Sequence, residues 1–448
     1  MMSTIAAIST PQAVGGIAMI RMSGEDALAI AEQVFVAANH TKVTEMRGYT
    51  CAYGYIRNAD ERIDDVVLTV FRAPHSYTGE DTVEITCHGG IYLTNEILHL
   101  LLMKGAVPAE PGEFTKRSFL NGKLSLSQAE AVMDVIEADG RAALHQANLV
   151  KDGRLSRQMR EVTDQIVGIL SALAYWMDDA EEFPPELEAS GLSAQIRGIY
   201  EKLSEMAEHY QDGKILKNGI RTVLLGRPNA GKSSVMNWLC GENRSIVTDI
   251  PGTTRDVITE SVKIGPYLLV LSDTAGIRET ENKIESIGIE QAMRTLDTAD
   301  LVLYVVDSVS GLTPEDEQVL TACRGHHVLI LWNKIDLCGN DPGEIDFPVV
   351  QCAAISEDSL AKMEDALREV FPVVSGNQPS VINERQFRLL SQANFRIREA
   401  ISLLESGGEL DMVAGELEQA ARFLSEIDGK DISRETIDGV FSRFCVGK

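Results

Sequence analysis

The sequence predicts a multidomain chain with an α+β N-terminal domain, an all-α domain, and a doubly wound α/β domain inserted into the latter. Three observations predict this. The chain has 448 residues, enough for about three domains at roughly 150 residues each. Short β-rich runs fill residues 1–121, then apolar residues recur at helical spacing over 122–215 and again over 378–448. Between the helical stretches, over 216–377, apolar strand runs alternate with helix-like segments, the rhythm of a parallel sheet with ligand-binding loops at the carboxyl ends of its strands.

In the N-terminal part, Ile17–Arg21, Val66–Phe71 and Val83–Cys87 read as strands, and Asp26–Ala38 and Tyr92–Lys104 read as helices. The helical texture is carried by Val162, Ile166, Ile169, Leu173 and Trp176, breaks near Phe183-Pro-Pro185, and returns with Phe387, Leu390, Asn394, Ile397 and Ile401, then Leu410–Ile427. Each such stretch has an apolar face that needs a partner, so one helical domain split by an insert is the economical reading. In the insert, Thr222–Leu225, Tyr267–Ser272, Leu301–Val306, Val328–Trp332 and Val349–Cys352 are the expected strands.

Composition is that of a folded globular chain: 44% apolar, 24% charged and 6% aromatic. Lys and Arg number 41 against 67 Asp and Glu, a net charge of −26, so the molecule as a whole repels nucleic acid and anionic membrane. Any RNA contact then needs a local basic patch or a partner. Seven scattered cysteines without a C-x-x-C pair argue against a disulfide framework or a zinc ribbon. No apolar run approaches the roughly 18 residues of a membrane span, and no basic residue precedes Arg21, so neither a membrane helix nor a signal peptide is expected. The expected location is cytoplasmic.

Gly226-Arg-Pro-Asn229-Ala230-Gly231-Lys232-Ser233 follows an apolar strand and precedes the amphipathic segment Ser234–Leu239, the context in which G-x-x-x-x-G-K-S/T binds phosphate. Glycines let backbone N–H groups turn toward the phosphates, Lys232 neutralises β/γ oxygens, and the Ser233 hydroxyl can ligate Mg²⁺. Asp273-Thr274-Ala275-Gly276 follows the next strand, placing a carboxylate for Mg²⁺ through water and a glycine N–H for the γ-phosphate. Asn333-Lys334-Ile335-Asp336 ends another strand. An Asp carboxylate there can accept both N1–H and the exocyclic amine of guanine, donors that adenine lacks, so GTP is expected over ATP. The polar stretch Thr248-Asp249-Ile250-Pro251-Gly252-Thr253-Thr254 suits a switch, with Thr254 as the second Mg²⁺ hydroxyl.

These elements in this order resemble the translation-factor class of P-loop, Ras-like GTPases, whose fifth element is best matched by Cys352-Ala353-Ala354. Ile277 stands where many signalling GTPases carry a water-orienting glutamine, so hydrolysis needs a polar group from elsewhere; Glu279, Glu281 and Glu285 are candidates.

Over essentially its whole length the chain also resembles the MnmE (TrmE) family of tRNA-modifying GTPases. The marks are Gly15–Gly24, Ser76-Tyr-Thr-Gly-Glu-Asp81, His88-Gly-Gly90, Pro111–Arg117 with Phe119–Leu124 and Ser127–Ala131, Gly252-Thr-Thr-Arg-Asp256, and Phe444-Cys445-Val-Gly-Lys448. The resemblance implies that the N-terminal domain is similar to tetrahydrofolate-binding enzymes and mediates a homodimer, with 5-formyl-tetrahydrofolate or a related folate held by Arg21, Glu84 and Lys123 near Lys448. Read alone, these three residues fit surface salt bridges as well as folate carboxylate and pterin contacts. The resemblance further implies K⁺ near Asn229, Thr248, Ile250 and Thr253, acting like an arginine finger, with Glu285 activating water and Arg278 in the same switch. It implies a flavoprotein partner of the MnmG (GidA) family, carrying FAD, in a heterotetramer or larger complex that adds a carboxymethylaminomethyl or aminomethyl group to C5 of uridine 34 in tRNA. Cys445 is a nucleophile candidate, a buried tail anchor or a residue lining the folate site. Glu110 departs from the family's arginine. A GTP-switched ribosome-assembly or regulatory protein without modification chemistry is the alternative.

Overall fold

The computed structural model describes residues 3–138, 140–178, 189–208, 210–242, 260–271, 296, 299–337, 340–353, 357–371 and 383–448. They group into two compact units, 1–133 with 150–200 and 388–448, and 134–149 with 201–387.

The first unit begins with a seven-stranded sheet of β1 (Ile5–Ile8), β2 (Gly15–Ser23), β3 (Phe35–Ala37), β4 (Thr50–Asn58), β5 (Glu61–Phe71), β6 (Thr82–Gly89) and β7 (Val107–Pro108), in the order β3-β4-β5-β6-β2-β1-β7. Helices α1 (Ala27–Val34) and α2 (Ile91–Met103) pack on it. Strand alternation decides the faces: Val66, Leu68 and Val70 with Val83, Ile85 and Cys87 point into the core shared with Ala31, Val34, Ile97 and Leu101. Ile17, Tyr53 and Val67 are exposed large apolar side chains on the same sheet. The helix expected over Asp26–Ala38 ends at Val34, because Phe35–Ala37 pairs antiparallel with Gly54–Ile56 and buries Phe35 and Ala37 as strand residues.

Also in this unit are α3 (Glu113–Leu120), most of α4 (Leu126–Glu137), the end of α5 (Arg141–Lys151), α6 (Arg154–Asp178) and the first part of α7 (Ala189–Glu208). Helix α6 buries Leu155, Met159, Val162, Ile166, Ile169 and Leu173, a stripe at three- and four-residue intervals, and packs on a later helix, Leu410–Ile427, whose stripe is Val413, Leu417, Ala420, Leu424 and Ile427. The expected break near residues 183–185 lies outside the described residues.

The second unit contains α8 (Tyr210–Asn218), α9 (Lys232–Glu242), α10 (Pro314–Ala322), α11 (Glu357–Val370) and the start of α12 (Glu384–Glu405). Its six-stranded sheet comprises β8 (Ile220–Leu225), β9 (Glu260–Ile264), β10 (Tyr267–Leu271), β11 (Leu301–Asp307), β12 (His327–Asn333) and β13 (Val349–Gln351), ordered β13-β12-β11-β8-β10-β9. Every neighbouring pair is parallel except β9 with β10. The edge strand β9 was not expected; it is returned by the Gly265-Pro266 turn, where Gly265 takes φ +55. Helices cover both faces. Leu301, Leu303 and Val305 of β11 join one core with Val235, Leu239, Met363 and Leu367, while Val302, Tyr304 and Val306 join the other with Leu320. Helix α10 starts on a capping box of Thr313 and Asp316 with Pro314 in its first turn, and Asp316 also accepts from the Tyr304 hydroxyl at 2.7 Å.

Back in the first unit, α12 leads to α13 (Leu410–Ile427) and α14 (Arg434–Phe441), the latter capped by Ser433, which accepts from Thr436 N. Among the described residues no helix is long and apolar enough to cross a membrane.

Candidate functional site

The P-loop runs from the carboxyl end of β8 into the N-terminus of α9, which begins at Lys232. Its glycines are used for close approach. A Cβ at Gly226, φ +141, would strike the Val305 carbonyl, and one at Gly231, φ +99, would strike the Asn333 amide. Asn229 takes φ +64, and its side chain is exposed. Lys232 donates to the carbonyls of Gly226 and Arg227, both at 2.7 Å, and burial lowers its ammonium pKa below the usual lysine range. Ser233 and Ser234 stand exposed in the first turn of α9, where free backbone N–H groups and the helix dipole favour an anion.

The Asn333-Lys334-Ile335-Asp336 segment, which the sequence expects to read guanine, is bonded directly to this loop. Asn333, buried at the end of β12, donates from Nδ2 to the Ala230 carbonyl at 3.0 Å, and Lys334, at φ +65, donates from Nζ to the Asn229 carbonyl at 2.8 Å. Lys334 also donates to Asp307 Oδ2 at 2.6 Å, at the end of the adjacent strand β11. Burial raises the Asp307 pKa, but hydrogen bonds from Lys334 and the Val309 N–H outweigh it and hold the carboxyl below its ordinary value. Ser308 completes the joint, its N–H donating to the Asn333 carbonyl and its hydroxyl to the Lys334 carbonyl. Asp336 is exposed in the following turn. Cys352 is fully buried, its N–H donates to the Trp332 carbonyl at 2.9 Å, and burial pushes its thiol up to about 12; Ala353 next to it is half-buried. The expected residues Thr248, Asp249, Ile250, Pro251, Gly252, Thr253, Thr254, Asp273, Thr274, Ala275, Gly276, Arg278, Glu285 and Ala354 lie outside the described residues.

In the first unit, Arg21 and Glu84 face each other across the β2–β6 pair, with Arg21 Nε 2.9 Å from Glu84 Oε1. The guanidinium also donates to the Gly447 carbonyl and lies over the rings of Tyr77 and Phe114 at 5.8 and 5.7 Å. Lys448 belongs to the same cluster: burial first, then the Arg21 charge, lowers its ammonium pKa, against smaller upward pulls from Cys445 and Glu84. The tail is pinned to α3 by its backbone, since Gly112 N–H donates to the Cys445 carbonyl and Phe114 N–H to the Lys448 carbonyl; the Cys445 side chain is exposed, so it is not the buried anchor that was one expectation. Arg21, Glu84, Lys448 and the tail are thus brought together. Lys123 instead donates to the Pro74 carbonyl at 3.0 Å, and its stem packs on the 76–81 loop at Gly79. Beneath that loop, buried Arg117 bonds Glu80 and Glu113. Glu110 donates its own N–H to Glu113.

Sequence reasoning did not single out Asp307 or Ser308, although a polar residue ending a strand beside the P-loop strand was the available signal. Tyr77, Phe114 and the Gly447 carbonyl around Arg21 carry no such signal, because they meet only through tertiary packing.

Residues 4–123 match the family described as the GTP-binding protein TrmE N-terminus, and residues 126–445 match the MnmE helical domain. The tRNA modification GTPase MnmE of Geobacillus thermodenitrificans is 41% identical over 465 residues, covering 99% of each chain, and that of Bacillus subtilis is 39% identical over 467 residues, covering 100% of each. Among solved structures, the G domain of the T. maritima FeoB iron transporter aligns with 34% of this chain and 98% of its own, at 24% identity and a TM-score of 0.24. With a P-loop motif tied to the Asn333–Asp336 segment, and with family matches and relatives spanning nearly every residue, the chain belongs to the MnmE family of tRNA modification GTPases.

Proposed function

We propose that the chain is a K⁺-stimulated GTPase that works as a homodimer with an FAD-carrying flavoprotein of the MnmG family to modify C5 of the wobble uridine of tRNA. The observation that carries the nucleotide half is the bonding of Asn333 and Lys334 to the P-loop carbonyls, which makes base reading and phosphate binding one rigid unit. Lys232, Ser233 and the α9 N-terminus would bind the phosphates and Mg²⁺, with Thr254 as second hydroxyl and Asp273 through water. Asp336 would select guanine. The exposed Asn229 amide, with Thr248, Ile250 and Thr253, would hold K⁺, whose charge offsets the negative charge that develops between phosphates during hydrolysis. Glu285 would orient water, assisted by Arg278.

The Arg21–Glu84–Lys448 cluster fits a folate: two cations suit its glutamate carboxylates and one carboxylate suits pterin N–H groups. When bound, the folate supplies a one-carbon unit. Tyr77, which is partly exposed, would give it an aromatic wall, and Cys445 lies exposed nearby. The exposed Ile17, Tyr53 and Val67 on the open sheet support self-association through the N-terminal domain. The domains are read as 1–121 for folate and dimerisation, 122–215 with 378–448 as the split helical domain, and 216–377 as the inserted G domain.

The test is equilibrium binding of labelled 5-formyl-tetrahydrofolate to the purified chain, with Arg21→Ala as the variant expected to lose it. Full GTPase activity with no folate bound would favour the assembly-type alternative.

A further inference from the structure

We propose that the turn joining α5 to α6, with the basic first turns of α6, is a docking surface for the phosphate backbone of the RNA substrate, beside the C-terminal tail. This rests on the reading that the chain acts on tRNA. Residues 151–160 hold four basic side chains, Lys151, Arg154, Arg157 and Arg160, against one acid, Asp152, in a chain whose acids outnumber its bases 67 to 41. All four basic residues are exposed, and three follow one another at three-residue steps along α6, so they share one broad helix face. Arg160 leans on Asp428 at 3.6 Å, and Lys151 and Arg157 are the two exposed cations on which the docking rests. Acids return at once beyond it, at Glu161 and Asp164, so the patch has a sharp edge.

The turn is built rather than incidental. Gly153 takes φ +76, and a Cβ there would press on the Gln128 amide at 3.1 Å. Gln128 donates to the Lys151 carbonyl at 2.9 Å and accepts from Ser125 N–H at 2.9 Å, which fixes the Lys151–Gly153 backbone against α4. Helix α4 also carries Leu126, Ala129 and Met133, which pack on Phe441 and Phe444 of the tail segment. The basic turn and the Cys445–Lys448 tail are therefore held by one helix, and Lys151 stands near enough to Lys448 to contribute to lowering its ammonium pKa. Lys448 carries the positive charge into the candidate folate cluster, where Glu84 pairs with Arg21. A polyanion lying along Lys151 and Arg157 would bring its unpaired loop toward that cluster, and phosphates are what such an exposed, sequence-blind row of cations recognises.

The experiment uses the full-length chain and a fluorescent 17-nucleotide anticodon stem-loop with uridine at position 34, titrated between 0.05 and 0.3 M KCl. Lys151→Gln with Arg157→Gln removes two cations that no described contact requires, and GTP hydrolysis without RNA should stay unchanged, reporting an intact fold. Losing two phosphate contacts lowers the salt slope by about 1.4–1.8, which corresponds to binding roughly 25- to 60-fold weaker at 0.1 M salt. Asp152→Asn should tighten binding, and Arg398→Glu, an exposed charge on α12, should leave it unchanged. Equal affinity and slope in the double variant would overturn the proposal while leaving the tRNA reading intact. Unchanged RNA binding with lost capture of the flavoprotein would give the turn to a protein partner and overturn it as well. If the unaltered chain binds no RNA, this surface is not an RNA site, and the modification reading is then decided by the wobble nucleosides of tRNA from a strain lacking the chain.

Discussion

Asp307 offers the sharpest perturbation of the nucleotide pocket, because its carboxylate makes no contact with the P-loop and reaches it through Lys334. Replacing it with alanine removes an acceptor 2.6 Å from the Lys334 ammonium, which must then hold the Asn229 carbonyl unaided. A hydrogen bond to a charged group is worth about 1.5–3 kcal/mol. The Lys334 side chain is 29% exposed, so water replaces part of the loss, and the lower end applies. A loss of about 1.5–2 kcal/mol is roughly a 12- to 30-fold faster release of fluorescent GDP, measured by stopped flow. KM for GTP should rise while the rate at saturation stays within about twofold, since a ground-state positioning contact is removed. Asp307→Asn should restore part of the loss. The pH dependence has a definite sign: the Asp307 carboxyl is held below its ordinary value, so its contribution is complete above about pH 4 and fades only as pH falls through the lower folded value. An unchanged release rate accompanied only by a lower melting temperature would refute a role for Asp307 in positioning Lys334 and leave a structural ion pair.

Three further outcomes follow from other parts of the molecule. GTP hydrolysis should rise in K⁺ relative to Na⁺, and Asn229→Ala should erase the difference; equal rates in both salts would remove the cation from the scheme. Asp428, buried where it accepts from Ser127 at 2.9 Å and Ser156 at 2.6 Å, should cost roughly 2–4 kcal/mol when changed to alanine, read by urea unfolding with GDP affinity unchanged. The hydrogen bond from His88 to Asp64 raises the His88 pKa above its ordinary value, so the favourable pairing is complete below about pH 6.5 and lost as pH rises through the folded pKa; an NMR titration should show this, and Asp64→Asn should bring the midpoint down.

Much of the architecture was legible because burial writes itself into spacing. The stripes of α6 and α13 and the five parallel strands of the second sheet follow the apolar periods along the chain, and helix Leu410–Ile427 has the bounds its sequence pattern predicts. What failed was local competition. Phe35–Ala37 continues a helical pattern in sequence yet gains more by pairing with β4, and the antiparallel β9 depends on a two-residue turn rather than on an apolar run. In the candidate site, the motif residues proposed to meet ligand stand out by type and spacing, whereas the groups that fix them do not. Nothing in the sequence around Asp307, Gly447 or Gln128 says which loop each will bond, since those partners lie 27, 426 and 23 positions away.

The most direct measurement of the whole account is mass spectrometry of the wobble nucleosides of tRNA from a strain lacking this chain, beside the same strain carrying it. The account predicts loss of the C5-carboxymethylaminomethyl or aminomethyl uridines at position 34 and their return with the intact gene but not with a Lys232→Ala form. An unaltered wobble uridine profile in the lacking strain would contradict it.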